Sequence, residues 1–444
     1  MTGLCTDLYE VRMAASYLRR DMTGPATFSL FSRRLPATRG FLVAAGLADV
    51  LDFLAGFRFD ADEIDYLRQS VGLDEESLAA LAGLTFTGDV WAVPEGRVVF
   101  ADEPLLEVTA PIAQAQLVET AVLNLVTFAT TVASKAARCR LAAPRAELID
   151  FAFRRTHGLA AAMGVARASA IAGFAATSNT AAARRYGLRA AGTMAHSYVE
   201  AFTDERSAFV AFARDYPRNA IFLVDTYDTV AGVRAAAGVA TELGLDGPVG
   251  VRLDSGDLGE LARRAREILD AAGLTGARIL ASGGLDEYAI ATLVAQQAPI
   301  DAYGIGTKMG VSADAASLDS AYKLVAYGDR PVMKLSPGKA TFPGAKQVFR
   351  GPTPAAGDVL ALREEPAPAG HEPLLVPVMV GGRPVAAAGT ATDVAAARQR
   401  LDADLRWLPD AARRLTDPRP VTARPSARLE TLRQQLAGQL AGRG

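Results

Sequence analysis

Residues 278–307 read RILASGGLDEYAIATLVAQQAPIDAYGIGT, and this stretch decides the fold class. A short apolar run is followed by a helical pattern and then by a second short run that closes on glycines. This order of strand, helix and strand is typical of a βα unit in a parallel sheet. The runs IFLVDT at 221–226 and GVRLDS at 250–255 repeat it, which predicts an α/β protein with a parallel sheet or barrel.

Polar residues and glycines follow each of these predicted strands. Ligands of α/β folds bind at the carboxyl ends of the parallel strands, so these positions are the first candidates for a site. They are Asp225 and Thr226, then Asp254, Ser255, Gly256 and Asp257, then Ser282, Gly283 and Gly284, and finally Gly304, Gly306 and Thr307.

The stretch GVRLDSGDL at 250–258 permits two interpretations. Asp254 or Ser255 could be a helix N-cap, with Asp257 in the first turn. Alternatively, the two carboxylates could hold sugar hydroxyls or Mg²⁺ while Arg252 binds an anion. The two interpretations are compatible.

The glycine pairs in ASGGL and YGIGTK favour a phosphate cradle, because glycine lets backbone N–H groups approach an anion closely. Each pair alone could equally mark a tight turn. In DFAFRRTHG at 150–158, arginines lie beside Phe151 and Phe153. A solvated basic turn is one interpretation, and a flat apolar surface beside an anion site, suited to an aromatic acid, is the other.

His196, in GTMAHSYVEAF at 192–202, is one of three histidines in the chain. A buried structural imidazole, a general base, a metal ligand and a phosphoryl acceptor are the alternatives. Zinc is disfavoured, because His157, His196 and His371 lack metal-ligand spacing and no cysteine lies near them. The anion sites predicted at the neighbouring strand ends favour a catalytic role.

The composition narrows the class of protein. A length of 444 residues, half of them hydrophobic, suits two or three domains with large cores. A net charge of −2 gives no reason to expect nucleic-acid binding. Two cysteines cannot build a disulfide framework, and neither a signal peptide nor a membrane span is expected. A cytoplasmic location is the expectation.

Changes in texture along the chain predict three segments. Residues 1–113 mix helices with antiparallel strands and form an N-terminal α+β domain, and residues 114–335 carry the βα units. Residues 336–444 return to strands and turns and are expected to pack back on the N-terminal domain.

Ten motifs follow one another along the chain: TDLYEVRMA, FSLFSRRLPATRGFLVAAGL, DFAFRRTHG, GFAATSNTAAARRYG, GTMAHSYVEAF, LVDTYDT, VRLDSGDL, ASGGLDEY, YGIGTKM and KLSPGKATFPGAKQVFR. Taken in this order, they closely resemble the nicotinate phosphoribosyltransferase family. No single motif is decisive, but the ordered set is very specific and extends to about residue 350.

The resemblance implies an irregular α/β barrel with a second domain built from both ends of the chain. It also implies a homodimer with shared active sites. The implied reaction joins nicotinate and phosphoribosyl diphosphate to give nicotinate mononucleotide and diphosphate, with Mg²⁺ as cofactor. ATP hydrolysis would be coupled to it through transient phosphorylation of the matching histidine, His196.

The resemblance also implies roles for individual residues. Phe151 resembles one face of a clamp on the pyridine ring, and Tyr9, delivered by a neighbouring subunit, resembles the other. Arg154 lies where the family has an arginine beside the base and the diphosphate. The further residues implied to bind substrate or take part in catalysis are Thr193, Asp225, Arg252, Asp254, Asp257, Ser282, Gly283, Gly284, Gly304, Gly306 and Thr307.

Ser178 bears on the choice of base. The related nicotinamide enzyme has an aspartate at this position, which accepts a hydrogen bond from an amide but repels a carboxylate. Serine donates to a carboxylate, so Ser178 favours nicotinate. Three alternatives remain open: a transferase for nicotinamide or quinolinate, a non-catalytic binding paralogue, and another barrel enzyme that acts on sugar phosphates.

Overall fold

The computed structural model describes residues 2–245, 249–336 and 341–441. The chain forms one unit from its two ends, Met1–Ser134 with Ser317–Gly444, and a second unit from its middle, Lys135–Ala316. We call these unit 1 and unit 2. The predicted central segment, 114–335, is longer than unit 2 at both ends.

The first part of unit 1 mixes helices with antiparallel strands. Its elements are α1 (Leu8–Leu18), β1 (Pro25–Ser32), β2 (Leu42–Val43), α2 (Leu47–Ala55), α3 (Ala61–Tyr66), a π-helical turn (Leu67–Val71), α4 (Glu75–Ala82), β3 (Asp89–Ala92), β4 (Val98–Val99), β5 (Pro104–Pro111) and α5 (Ile112–Leu117). The long helix α6 (Glu119–Ala142) follows and runs across the boundary at Ser134.

Unit 2 alternates strands and helices. Its elements are β6 (Glu147–Asp150), a 3₁₀ turn (Phe153–Arg155), α7 (Leu159–Ile171), β7 (Ala176–Thr177), α8 (Thr180–Tyr186), α9 (His196–Glu200), α10 (Glu205–Asp215), β8 (Ala220–Leu223), α11 (Thr229–Glu242), β9 (Val249–Leu253), α12 (Leu258–Ala271), β10 (Arg278–Ala281), α13 (Glu287–Ala295), β11 (Ala302–Ile305) and α14 (Thr307–Gly310).

The strands of unit 2 form one parallel sheet in the order β7-β6-β11-β10-β9-β8, a curled half-barrel that confirms the predicted α/β class. Helices pack on this sheet. One of them, α12, contacts β9 and β10 and buries Gly259, Ala262, Ala265 and Leu269, which share one helix face. The register pairs Ile305 with Asp150, so the carboxyl ends of these strands meet at one edge. The residues that follow the strands therefore begin side by side.

The chain then returns to unit 1. Its last elements are β12 (Ser320–Tyr327), β13 (Arg330–Pro331), β14 (Lys346–Arg350), β15 (Asp358–Leu362), β16 (Glu372–Pro373), β17 (Val376–Val380), β18 (Arg383–Pro384), α15 (Ala386–Thr392), α16 (Val394–Trp407), α17 (Asp410–Arg413), β19 (Arg424–Pro425) and α18 (Ala427–Ala441).

Unit 1 is held together by a seven-stranded sheet in the order β13-β12-β1-β5-β3-β17-β18. Its central strand, β1, pairs antiparallel with β5 on one side and with β12, from the far end of the chain, on the other. β12 therefore belongs to the sheet of unit 1, although the predicted segment 114–335 contains it.

The structure differs from the sequence-based interpretation at one further point. The run AIAGF at 170–174, interpreted as a strand, contains the end of α7, and the strand β7 follows at Ala176. A short apolar run does not distinguish a buried helix from a strand.

Residues 337–340, inside the motif at 334–350, lie outside the described residues. Among the helices of the described ranges, none has the length and apolar character needed to cross a membrane.

Candidate functional site

A cavity of about 460 Å³ lies at the carboxyl edge of the half-barrel in unit 2. Thirteen of the residues predicted from the sequence line it: Phe151, Arg154, Ser178, Thr193, His196, Arg252, Asp254, Ser282, Gly283, Gly284, Gly304, Gly306 and Thr307. These residues span more than 150 positions of the chain, and the parallel sheet brings them together.

Arg252 links the parts of the cavity. It extends from β9, where Nε donates to Ser282 Oγ at 2.8 Å and Nη2 contacts Asp254 Oδ1 at 2.6 Å. Nη1 donates to Thr193 Oγ1 at 3.2 Å. The guanidinium carbon also lies 5.3 Å from the centroid of the Phe151 ring, within range of a cation–π contact. One side chain therefore connects three strand ends with the segment that precedes His196.

Asp254 is held in its ionised form by these contacts. Burial on its own raises the pKa of this carboxyl, but the hydrogen bond from Ser282 and the charge of Arg252 outweigh it and hold the pKa below its ordinary value. Asp254 is therefore a carboxylate at neutral pH, with Oδ1 already engaged by Arg252 and Ser282.

Phe151 presents its ring where the sequence requires glycine. A Cβ atom placed on Gly304 would lie 2.4 Å from the Phe151 ring, so any other residue at that position would force the ring to move. Arg154 lies on the exposed 3₁₀ turn that follows, and Arg155 beside it also lines the cavity. An apolar ring face and two cations thus border the same space, as the sequence predicts.

The glycine loops after β10 and β11 form another wall. Gly283 has a φ of 91°, and a Cβ there would lie 1.8 Å from the Asp254 carbonyl oxygen, so the loop conformation depends on glycine. Lys308 Nζ lies 2.7 Å from Asp286 Oδ2 and ties the second loop to the first. Backbone N–H groups at such loops can bind phosphate oxygens.

His196 begins α9 and is partly buried, with Nδ1 3.2 Å from Thr226 Oγ1. The structure describes no hydrogen-bond partner for the other ring nitrogen, Nε2. This contact places the end of β8 next to the histidine, although Thr226 does not line the cavity.

Asp225 also lies outside the lining of the cavity. Its Oδ2 accepts hydrogen bonds from the Asp254 N–H at 3.1 Å and from Ser255 Oγ at 2.6 Å, so it positions the β9 loop. Within the described residues, Asp225 Oδ1 and Glu205 Oε1 are buried without a hydrogen-bond partner. Burial, followed by the charges of Asp225 and Asp228, raises the pKa of Glu205 to about 7.

Two predicted site residues lie elsewhere. Asp257 is the N-cap of α12, where Oδ1 accepts from the Glu260 N–H at 3.1 Å, and it does not line the cavity. The cap interpretation is therefore correct for this loop, but the capping residue is Asp257 rather than Asp254 or Ser255. Tyr9 belongs to α1 of unit 1, with half of its surface exposed.

Six lining residues are not among the predicted site residues, although the sequence placed Phe153 beside the arginines of its motif: Phe153, Arg155, Gly192, Met194, Ala195 and Leu223. Five of them, all except Leu223, are direct neighbours of predicted residues, so proximity in sequence was the available signal. Gly192, Met194 and Ala195 belong to the GTMAH stretch around His196, and the parallel bridge between Thr177 and Ala190 fixes its start.

Within the described ranges, no group of three or more His, Cys, Asp or Glu side chains is arranged to hold a metal ion. Asp254 is engaged by Arg252, and Asp257 caps a helix. Of the three aspartates at these strand ends, Asp225 is the one with a buried oxygen, Oδ1, that has no hydrogen-bond partner among the described residues. This donor set fits a cation that keeps its own water molecules better than one ligated directly by side chains.

A half-barrel with arginines, glycine loops and an aromatic ring at its strand ends is an arrangement that α/β proteins use to bind anionic ligands. The nicotinate phosphoribosyltransferase (NAPRTase) N-terminal domain model matches residues 4–127, and the NAPRTase family model matches residues 146–331. The chain therefore belongs to the nicotinate phosphoribosyltransferase family, which confirms the resemblance of its motifs.

Similar proteins cover most of the chain. Nicotinate phosphoribosyltransferase pncB2 of Mycobacterium tuberculosis is 50% identical over 94% of this chain and 89% of its own. The nicotinate phosphoribosyltransferase of Bacillus subtilis is 42% identical, over 82% and 76%. The crystal structure of human nicotinic acid phosphoribosyltransferase matches with a TM-score of 0.85 and 31% identity, over 97% and 99% of the two chains.

Proposed function

We propose that this protein transfers the phosphoribosyl group of phosphoribosyl diphosphate to nicotinate, giving nicotinate mononucleotide and diphosphate for NAD biosynthesis. Membership of the family supports this reaction. The observation that carries it is a cavity lined by the Phe151 ring, by Arg252 and by two glycine loops.

In this proposal each wall of the cavity binds one part of the substrates. The pyridine ring lies on Phe151, and the Gly283–Gly284 and Gly304–Thr307 loops receive the 5′-phosphate. Asp254 accepts hydrogen bonds from ribose hydroxyls with the oxygen that Arg252 leaves free. Arg154 and Arg252 face the diphosphate and the base carboxylate.

The chemistry needs positioning and charge stabilisation more than a base. The bond between C1′ and the diphosphate oxygen breaks, the diphosphate leaves with the electron pair, and the pyridine nitrogen forms the new bond to C1′. The ring nitrogen carries no proton to remove, so no general base is required. The arginines stabilise charge on the leaving group.

The cofactor is proposed to be Mg²⁺, which when bound offsets the negative charge of the diphosphate. Asp254 and Asp257 would contact it through water, and the unpartnered Asp225 Oδ1 is a third oxygen near that loop.

We also propose that ATP is a co-substrate. The Nε2 atom of His196 would attack the terminal phosphorus of ATP and release ADP, and water would later cleave the phosphoramidate to phosphate. The hydroxyl of Thr226, 3.2 Å from Nδ1, would accept a hydrogen bond from the Nδ1–H group and so keep Nε2 unprotonated and available for attack.

The proposed assembly is a homodimer in the cytoplasm, with Tyr9 reaching the base from a second copy of the chain. The half-exposed ring of Tyr9 is compatible with that role. Mixed subunits test it: Tyr9→Ala and His196→Ala proteins, each impaired alone, should regain activity when unfolded and refolded together. Shared sites require this, because one site of the mixed dimer then has both residues intact. Failure to regain activity would contradict the shared site.

The reaction itself is tested by product formation from phosphoribosyl diphosphate with nicotinate, nicotinamide or quinolinate, each with and without ATP and Mg²⁺. We expect nicotinate mononucleotide from nicotinate, in larger yield with ATP. Preferential use of nicotinamide or quinolinate would assign a different base. Binding of phosphoribosyl diphosphate without any product would indicate a non-catalytic protein.

A further inference from the structure

Two buried polar side chains, Asp150 and Thr177, lie directly behind the base-binding wall of the cavity. Asp150 ends β6 and Thr177 ends β7, and each is 1% exposed. Neither lines the cavity, and the reaction as proposed above uses neither. Each of them immediately precedes a lining residue, Phe151 and Ser178 respectively.

The two side chains are joined by a complete set of hydrogen bonds. Asp150 Oδ1 accepts from the Ala152 N–H at 2.8 Å, and Oδ2 accepts from Thr177 Oγ1 at 2.7 Å. Thr177 Oγ1 in turn accepts from the Asn179 N–H at 3.0 Å. The Ser178 N–H donates to the Asp150 carbonyl at 2.8 Å. Phe151 and Ser178 are thus each flanked on both sides by members of one network.

The main chain of Thr177 extends the network toward His196. Its N–H donates to the Arg189 carbonyl at 3.0 Å, and its carbonyl accepts from the Ala191 N–H at 2.9 Å. Residues 192–196 continue from there along the cavity. The Thr177 hydroxyl is the side-chain element of this junction, so its removal leaves the main-chain contacts in place.

We propose that Asp150 and Thr177 form a positioning pair that fixes Phe151 relative to Ser178 and thereby sets the selectivity for a base that carries a carboxylate. The inference rests on the proposed function. A ring bound on Phe151 presents its substituent to Ser178 at a distance set by the two strand ends. The hydrogen bond between the two side chains links those ends in addition to the main-chain bond from Ser178 to Asp150.

A contribution to folding alone does not account for the carboxylate. Burial raises the pKa of Asp150, which means that the ionised form is costly in the folded protein. A pair of apolar side chains could join two buried strand ends without that cost. The carboxylate differs because it accepts from the main chain before Phe153 and from Thr177 at the same time, which fixes direction as well as distance.

The test compares Thr177→Val, which removes the hydroxyl at constant shape, with Thr177→Ser, which keeps it. We expect Thr177→Val to raise KM for nicotinate about tenfold, because the variant loses one buried hydrogen bond to a charged group. KM for phosphoribosyl diphosphate should change less than about twofold. The preference for nicotinate over nicotinamide should narrow, and Thr177→Ser should restore both values.

The matched control is Thr130→Val. Thr130 is a buried threonine of unit 1 whose hydroxyl contacts the main chain of Ala45, so its loss tests stability without touching the base wall. It should lower the unfolding temperature and leave KM for nicotinate unchanged. If Thr177→Val fails to fold, Asp150→Asn takes its place. The amide keeps the size of the carboxylate, but its nitrogen cannot accept a hydrogen bond, so one of the two donors loses its acceptor.

The outcomes separate the two levels of the proposal. Equal changes in KM for both substrates, no change in either, or a serine variant that behaves like valine would overturn the positioning pair. A wild-type protein that forms no nicotinate mononucleotide refutes the proposed function, and this inference with it.

Discussion

Replacing Arg252 with lysine tests whether the cavity depends on the shape of the guanidinium or only on its charge. Arg252 bonds to Ser282, Asp254 and Thr193 with its three nitrogens, at 2.8, 2.6 and 3.2 Å. Lysine keeps the positive charge, but its single ammonium cannot reach three partners that lie in different directions. We take it to keep the contact with Asp254 and lose the other two.

The expected size of the effect follows from those two contacts. A hydrogen bond that involves a charged group contributes about 1.5 kcal/mol at the low end of its range, so two contribute about 3 kcal/mol. Since about 1.4 kcal/mol corresponds to a tenfold change, kcat/KM should fall about a hundredfold. Because all three partners line the cavity, we expect the lost contacts to lower kcat/KM as well as the free energy of unfolding.

The assay measures steady-state formation of nicotinate mononucleotide, with thermal unfolding recorded for the same samples. Arg266→Lys is the matched control. Arg266 in α12 also uses all its nitrogens, on Asp270 and two main-chain carbonyls, but lies outside the cavity. It should lose stability and keep kcat/KM. A fall of less than about fivefold for Arg252→Lys would refute the reasoning, because charge alone would then be sufficient.

Four further predictions concern single positions. His196→Ala should abolish ATP hydrolysis that depends on nicotinate while some ATP-independent transfer remains, and undiminished coupled hydrolysis would show that another residue accepts the phosphoryl group. Ser178→Asp should weaken nicotinate use through charge repulsion, and unchanged nicotinate kinetics would contradict that role. Glu205, with its pKa raised from 4.5 to about 7, binds a proton more readily in the folded state, so stability should fall as pH rises across that interval and then level off. Denaturant unfolding from pH 4.5 to 7 should show a flatter profile for Glu205→Gln than for wild type, and parallel profiles would disprove the assignment. Gly283→Ala should raise KM for phosphoribosyl diphosphate, because the added Cβ meets a carbonyl oxygen. The control Gly273→Ala has a similar φ but open space around it, and it should cost only about 1–2 kcal/mol of stability. Equal kinetics for the two variants would argue against phosphate binding by the Gly283–Gly284 loop.

The strand ends were predictable because they combine two signals, a short apolar run and the glycines or polar residues that follow it. RILASGG and DAYGIGT show both, and β10 and β11 lie where these runs occur. Segments without that contrast were harder to interpret. The alanine-rich run at 170–174 packs as the end of α7, and alanine carries too little shape or polarity to reveal it.

Within the candidate site, the sequence indicates which residues are polar but not which neighbours they choose. Asp225, Asp254 and Asp257 look equivalent in the sequence, yet the first bonds to a loop, the second to Arg252 and the third to a helix N-terminus. Asp150 and Thr177 gave no signal at all, since their partner is known only when β6 and β7 lie side by side. Residues that act through contacts across strands require the structure.

The construction of unit 1 from both chain ends has a consequence for biosynthesis. Unit 2 is continuous from Lys135 to Ala316, and it is synthesised completely before β12 leaves the ribosome. Until then β1 has its β5 neighbour but an open edge on the other side, where β12 will pair. Exposed strand edges are prone to pair with other chains. The nascent protein therefore carries an unfinished sheet, with one edge of β1 unpaired, while residues 112–319 are being synthesised.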